Sequence, residues 1–318
     1  MFRSRGVGSP SGGPVPLKGD LQQRALGAYL GLAVGDALGA TTEFMTPGEI
    51  RERHGVHRKI SGGGWLRLKP GQVTDDTEMS LALGRSIVER RGVDAGAVAS
   101  AFSEWMRGQP VDMGNTVRRG ILHFRTTGQT AVPENEYDAG NGACMRFLPV
   151  ALAYWNASDE ELMRASRLQS HVTHNSPLAD AGTETLLSMV VAALTGRDKA
   201  SLLAMAHGLA ERHPAYRFDR RRVENPSGYI VHTLQAVFQA FFSNDSFEAI
   251  LVDVVNRGGD ADTTGAIAGM LAGAFHGLSV IPASWRKALN PQVRKACESQ
   301  TIELLALAAE RDWAIPRI

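Results

Sequence analysis

The sequence predicts an all-α fold built as one domain. Three observations carry that prediction. Apolar residues recur at helical spacing along nearly the whole chain, and strand-like alternation is almost absent. Aromatic residues make up only 7%, whereas glycine reaches 34 residues, many of them inside helical patterns. No period of about 20–50 residues repeats, which argues against a solenoid, and no interior stretch reads as a linker.

Residues 1–19, MFRSRGVGSPSGGPVPLKG, are rich in Gly, Pro and Ser and lack the apolar core of a signal peptide. They read as a disordered extension, with the folded domain over 20–318. The first helix, 20–39, contains the most apolar segment of the chain. That segment, ALGAYLGLAVGDALGA (25–40), is interrupted by Asp36 and falls short of the roughly 20 residues a bilayer crossing needs. It reads as a buried helix. Its glycines at 27, 31, 35 and 39 recur every fourth residue and so share one face. Gly265, Gly269 and Gly273 do the same in a helix expected over 263–278. Each such glycine costs up to about 1 kcal/mol against alanine; close approach of buried helix backbones is the expected compensation. Further helices are expected over 75–91, 94–107, 113–127, 143–156, 158–168, 178–195, 198–211, 228–241, 246–256, 283–288 and 299–310. The loops 60–73, 133–147 and 171–177 have unusual content and lie between buried helices, where function concentrates. The basic runs RERHGVHRK (51–59) and RFDRRR (217–222) read as solvated faces or loops.

Net charge is +1, from 34 basic and 33 acidic residues. No global field therefore favours nucleic acid or an anionic membrane. Cys144 and Cys297 are too few for a disulfide framework, and a cysteine-based zinc site is implausible. A cytoplasmic location is expected.

Two acidic clusters stand out. TDDT (74–77) opens one apolar helix, and GGDADTTG (258–265) opens another far away in the chain. Asp and Thr are ordinary N-caps, since their oxygens accept from the free amides of a first turn. One cap needs one oxygen, and each cluster offers several. The other reading is a site for hard divalent cations, which take carboxylate, hydroxyl and water oxygens. Convergence would put four carboxylates in one pocket. A like-charged pair about 4 Å apart costs about 4 kcal/mol at an effective dielectric near 20, so convergence demands cations or protonation. Spacing alone does not establish it.

GNGACMRF (140–147) leads from a loop into an expected helix. Gly140 and Gly142 free the backbone there, and helix-start amides can receive a pyrophosphate. A plain loop-to-helix junction is the alternative. Arg146 pairs with phosphate or with a neighbouring acid. His171 and His174 have a spacing compatible with metal, but the carboxylates already form a harder site.

TDDTEM, GNGACMR and GGDADTTGAIAG, in that order and with GDALGATTEF (35–44) ahead of them, resemble the ADP-ribosylglycohydrolase family. The resemblance runs from about residue 21 to 290. It implies an all-α fold with a binuclear centre of Mn²⁺ or Mg²⁺, held by Thr74, Asp75 and Asp76 together with Asp260, Asp262 and Thr263. An all-oxygen set suits those ions better than zinc. It also implies that Asn141, Gly142, Ala143 and Met145 line a diphosphate and ribose site, beside Asn115. His174 would approach the nucleotide, although a structural histidine fits THNSP equally. Asp112 matches an active-site carboxylate and Glu43 a glutamate over the metals; the sequence does not divide acid and base roles between them.

The stretch GGGWLRLKPGQVTDDTEMSLALGR (62–85) is similar in particular to the bacterial branch that removes ADP-ribose from an arginine of nitrogenase iron protein. Trp65 would cover the acceptor guanidinium there, or else pack on a neighbouring helix. An ADP-ribosylated protein is thus the expected partner, and a regulatory protein partner stays open. The rival readings are hydrolysis at serine or at small ADP-ribosyl metabolites, an inactive ADP-ribose-binding relative, and a phosphatase.

Overall fold

The computed structural model describes residues 18–310, so most of the expected N-terminal extension lies outside the described residues, as do 311–318. Lys18 and Gly19, expected in the extension, already belong to the first helix, α1 (Lys18–Gly39). The architecture is all-α. Among the described residues there is no strand, only two isolated bridges, Gly63 to Leu68 and Gly140 to Tyr229.

The centre is an antiparallel helix pair. α1 lies against the glycine-rich helix that follows the second acidic cluster, Ala261–His276, and both are buried along most of their length. Gly27 meets Gly273, Gly31 meets Gly269, Gly35 meets Gly265, and Gly39 meets Ala261. The repeated glycines thus have the cause expected of them. A Cβ built on Gly35 would stand 1.9 Å from the carbonyl oxygen of Gly265. Neither backbone has room to yield, so Gly35→Ala is expected to destabilise the fold by about 3 kcal/mol. Chemical denaturation checks this; a loss below about 1 kcal/mol would mean the pair is not tight.

The remaining helices wrap this pair. They are α2 (Pro47–His54), α3 (Asp75–Arg90), α4 (Ala95–Arg107), α5 (Asn115–Thr127), α6 (Leu148–Ala153), α7 (Asp159–Ser170), α8 (Pro177–Leu194), α9 (Lys199–Arg212), α10 (Ile230–Ser243), α11 (Phe247–Val255), the central α12 (Ala261–His276), α13 (Ala283–Ala288) and α14 (Pro291–Glu310). α8, α10 and α11 pack on α12, and α14 packs on α1, α3 and α6. No described helix is long and apolar enough to cross a membrane.

Three expectations change. No helix is expected over 47–54, yet α2 occupies it, so the exposed residues 51–54 of the basic run form a solvated helix face. Pro47 at its start and the reciprocal Thr46–Glu49 capping box signal that helix. The helix expected over 143–156 shrinks to the six residues of α6, since 142–146 form turns. The last helix starts at Pro291 rather than 299, with proline at a position where it needs no amide. In the run 217–222 the arginines are exposed while Phe218 is buried.

The antiparallel pairing has one consequence for the site. It places the C-terminal end of α1 beside the N-terminal end of α12. Asp36 and the turn at 40–44 therefore meet the GGDADTT cluster.

Candidate metal centre

Thr74 and Asp260 occupy the N-cap positions of α3 and α12, yet neither side chain makes a capping bond. Elsewhere Thr46, Asp94, Ser158, Asp198 and Ser246 do cap their helices. The residues that open the two acidic clusters do not, and Ser176 at the start of α8 is another polar N-cap that leaves its helix uncapped. Asp36 does the capping of α3 instead, from α1. Its buried carboxylate accepts from the Thr74 amide at 3.0 Å, the Thr74 hydroxyl at 3.0 Å, the Thr77 amide at 3.1 Å and the Thr77 hydroxyl at 2.5 Å. This frees Asp75 and Asp76 for the space above. Sequence reasoning did not include Asp36 in the site. A lone carboxylate in the most apolar segment of the chain was the available signal.

The two clusters meet. Thr263 Oγ1 donates to Asp76 Oδ2 at 3.2 Å, and Thr74 Oγ1 lies 3.3 Å from that oxygen and 3.4 Å from Asp262 Oδ2. Carboxylate oxygens of Glu43, Asp260 and Asp262 fall within 4.8 Å of one another. Asp76 Oδ1 is buried without a hydrogen-bond partner. An orphaned carboxylate oxygen beside an all-oxygen donor set is what a hard divalent cation fits.

The electrostatics agree. Burial, reinforced by Asp112 and other acids nearby, pushes Glu43 up to about 8 and Asp75 up to about 8. Burial also raises Asp36 and Asp260 to about 6, and holds Asp76 and Asp262 well above the carboxylate range. Without positive charge these acids do not all ionise together at neutral pH.

Above them lies a cleft of about 460 Å³. Asp75, Asp260, Asp262 and Thr263 line its floor, whereas Thr74 and Asp76 sit behind it, fully buried. Asp112, on the loop between α4 and α5, lines one wall, with its Oδ1 accepting from the Met113 amide at 2.7 Å. Burial raises its pKa as well. Asn115 follows at the first turn of α5, and the Gly114 amide lies 3.3 Å from Asp75 Oδ2.

At the mouth, Trp65 Nε1 donates to Glu43 Oε2 at 2.6 Å. Its ring is 53% exposed and stands 5.3 Å from that of Phe44, itself exposed and at φ 59°. Trp65 is therefore not packed away on a helix. Phe44 escaped notice in the sequence, where it is only the last letter of GDALGATTEF.

The opposite wall is the GNG turn. Asn141 donates to Asp260 Oδ2 at 2.5 Å and to Thr233 Oγ1 at 2.9 Å, which ties this turn to the acids. Gly142 and Met145 line the cleft with it; Ala143 does not, being buried with its carbonyl accepting from Gln169. The glycines have a different cause from the one expected. Both have ordinary φ, but a Cβ on Gly142 would stand 2.7 Å from His174 Cε1, and one on Gly140 3.0 Å from His174 Nε2. They make room for His174, which lines the cleft. The helix-start account of this turn also falls, since α6 begins only at Leu148.

Arg146 meets neither phosphate nor acid: it is fully buried and bonded to Gln169 and Thr173. His171 is not in the cleft, and its Nε2 lies 2.8 Å from Asp180.

A family model described as ADP-ribosylglycohydrolase matches residues 17–314. The ADP-ribosyl-[dinitrogen reductase] glycohydrolase of Rhodospirillum rubrum is 49% identical, over 91% of this chain and 97% of its own length. The ADP-ribosylarginine hydrolase Tri1 of Pseudomonas putida (strain GB-1) is 35% identical, over 89% of this chain and 76% of its own length. A solved structure described as an ADP-ribosylglycohydrolase-related protein complex superposes with a TM-score of 0.82 at 38% identity, covering 91% of this chain and 99% of that one.

Proposed function

Since the chain belongs to the ADP-ribosylglycohydrolase family, we propose that it is a divalent-metal-dependent hydrolase that removes ADP-ribose from an arginine of a partner protein, and that this partner is dinitrogen reductase, the nitrogenase iron protein. The observation that carries the arginine assignment is the pair of exposed rings, Phe44 and Trp65, at the mouth of an acidic cleft, with Trp65 bonded to Glu43. An aromatic face attracts a guanidinium by about 0.5–2 kcal/mol. The choice of partner is supported by the 49% identity to the Rhodospirillum rubrum enzyme over nearly the full length of both chains. On this reading the protein acts in the cytoplasm and takes part in regulating nitrogen fixation.

Thr74, Asp75, Asp76, Asp260, Asp262 and Thr263, with Glu43 beside them, would hold two cations, Mn²⁺ or Mg²⁺. When bound, such ions supply the positive charge the acids lack and polarise oxygens of water or substrate. The rest follows from the chain's own groups. Asn141, Gly142, Met145 and His174 receive the diphosphate and ribose along one wall. Trp65 and Phe44 hold the acceptor guanidinium at the mouth. The bond to break joins the anomeric carbon of the ribose to a guanidino nitrogen, and its cleavage builds oxocarbenium-like charge on the sugar. The carboxylates around the floor stabilise that charge. Asp112 orients the attacking water and takes its proton. The guanidine departs carrying the proton an arginine side chain already holds at neutral pH.

The test offers the manganese-loaded protein two conjugates side by side, arginine-modified iron protein and a serine-modified peptide, and resolves the released ADP-ribose. Faster release from arginine is expected. Release from serine alone would reject the acceptor assignment, and release of inorganic phosphate would reject the bond assignment.

A further inference from the structure

We propose that Arg146 and Thr173 are positioning residues that hold His174 in one neutral tautomer, with its Nε2–H presented to the cleft as a hydrogen-bond donor. The inference rests on the function proposed above only for what that donor meets, an oxygen of the ADP-ribosyl group.

Arg146 is a buried cation with no acid bonded to it among the described residues; Asp75 acts on it only through its charge. It is 0% exposed, and among the described residues its partners are neutral. Its Nε donates to Gln169 Oε1 at 3.0 Å, and its Nη2 donates to the Gln169 carbonyl at 2.9 Å and to Thr173 Oγ1 at 2.8 Å. The guanidinium carbon stands 4.4 Å from the centre of the Phe102 ring. Burying an arginine this way is costly, and no direct ion pair offsets it. The direction of its hydrogen bonds accounts for its presence.

A guanidinium only donates, so Thr173 Oγ1 accepts. The hydroxyl proton of Thr173 then needs an acceptor of its own. Thr173 is buried, and its other side-chain neighbour is His174 Nδ1, 2.8 Å away. Were Nδ1 to carry the ring proton, Thr173 would accept twice and leave its own O–H buried without a partner, which folded proteins rarely tolerate. Nδ1 is therefore the acceptor and the ring proton sits on Nε2. That edge of the ring lies against Gly140 and Gly142, in the wall of the cleft. The ring also stays neutral: burial, with Arg146 and Arg119 adding to it, pushes His174 down to about 3. A neutral imidazole of fixed tautomer offers one donor in one direction. The chain from Arg146 through Thr173 to His174 fixes which nitrogen that is.

The test reads the imidazole nitrogens of ligand-free, ¹⁵N-histidine-labelled protein by NMR. Of the nine histidines, His174 is assigned by the signal lost in His174→Gln. The wild type is expected to show an unprotonated Nδ1 and a protonated Nε2. Thr173→Val, which keeps the shape and removes the hydroxyl, is expected to give a mixture of tautomers, and Thr173→Ser to restore the single form. With ADP-ribosylarginine, Thr173→Val should raise KM about ten-fold with kcat little changed, and Thr173→Ser should not. A wild-type ring protonated on Nδ1, or a valine variant that keeps pure Nε2–H, would overturn the proposal. Beyond the His174→Gln assignment, the wild-type spectrum needs neither Thr173 variant to fold nor substrate to turn over. A protein inactive on ADP-ribosylarginine would thus count against the proposed function and leave the tautomer assignment standing.

Discussion

Asp112→Asn is expected to lower turnover of ADP-ribosylarginine by about 10²–10⁴-fold, the usual contribution of a general acid–base group. Asparagine has the same shape, and its carbonyl oxygen still accepts from the Met113 amide, as Asp112 Oδ1 does at 2.7 Å. The loop between α4 and α5 should therefore stay in place. What is lost is the ability to take a proton. The charge of Asp112 also raises Glu43, Asp75 and Asp260. Removing it relieves part of that repulsion, so cation-dependent thermal stabilisation should persist in the variant. The pair of measurements separates chemistry from cation binding. Near-normal turnover in a folded, cation-binding variant would exclude Asp112 from the reaction.

Exhaustive chelation is expected to cut activity by at least about 10²-fold, since Lewis-acid stabilisation supplies several kcal/mol and each tenfold in rate is about 1.4 kcal/mol. Mn²⁺ or Mg²⁺ should restore it. The same acids set a pH dependence whose sign follows from their raised pKa values. A carboxyl raised in the folded state holds its proton longer than in the unfolded chain, so its contribution to stability is present at low pH and is lost as pH rises through the folded pKa. For Asp36 and Asp260 that lies near 6, and for Glu43 and Asp75 near 8. The metal-free protein should thus lose stability from this cluster between about pH 4, the unfolded carboxyl range, and pH 8, where bound cations offset it. The rise in melting temperature on adding Mn²⁺ is expected to be larger at pH 8 than at pH 5.5. Full activity after chelation, or stabilisation independent of pH, would remove the metal centre from the account.

Much of this was legible beforehand, for identifiable reasons. Glycines at every fourth position of two apolar segments point to close approach of buried helix backbones, which compensates their cost in a helix; that the two segments pair with each other is read from the structure. TDDT and GGDADTT are too rich in oxygen for caps. The family resemblance supplied their convergence and the positions of Asp112, Glu43 and His174, which spacing did not. The misreadings share a cause. The GNG glycines were read as backbone freedom and Arg146 as an ion-pair partner, because both readings are local. In the structure Gly140 and Gly142 make room for a ring some thirty residues later in the chain, and Arg146 reaches Gln169 and Thr173 rather than any acid. Asp36 looked like an interruption in an apolar helix; only the packing of α1 against α3 makes it the cap that leaves Asp75 and Asp76 free.

The sequence by itself determined the fold class, the close backbone approach of its glycine-faced buried helices, and the all-oxygen chemistry of the candidate site. Those properties depend on residue type and spacing, which helical periodicity and ligand hardness translate directly. The tertiary structure decided which oxygens share a cleft, which carboxylate caps and which faces the cleft, and which nitrogen of His174 points into it. These depend on contacts between residues far apart in the chain. The antiparallel register of α1 and α12 brings Asp36 to one side of the site and Asp260 to the other, and the burial this imposes raises their pKa values together.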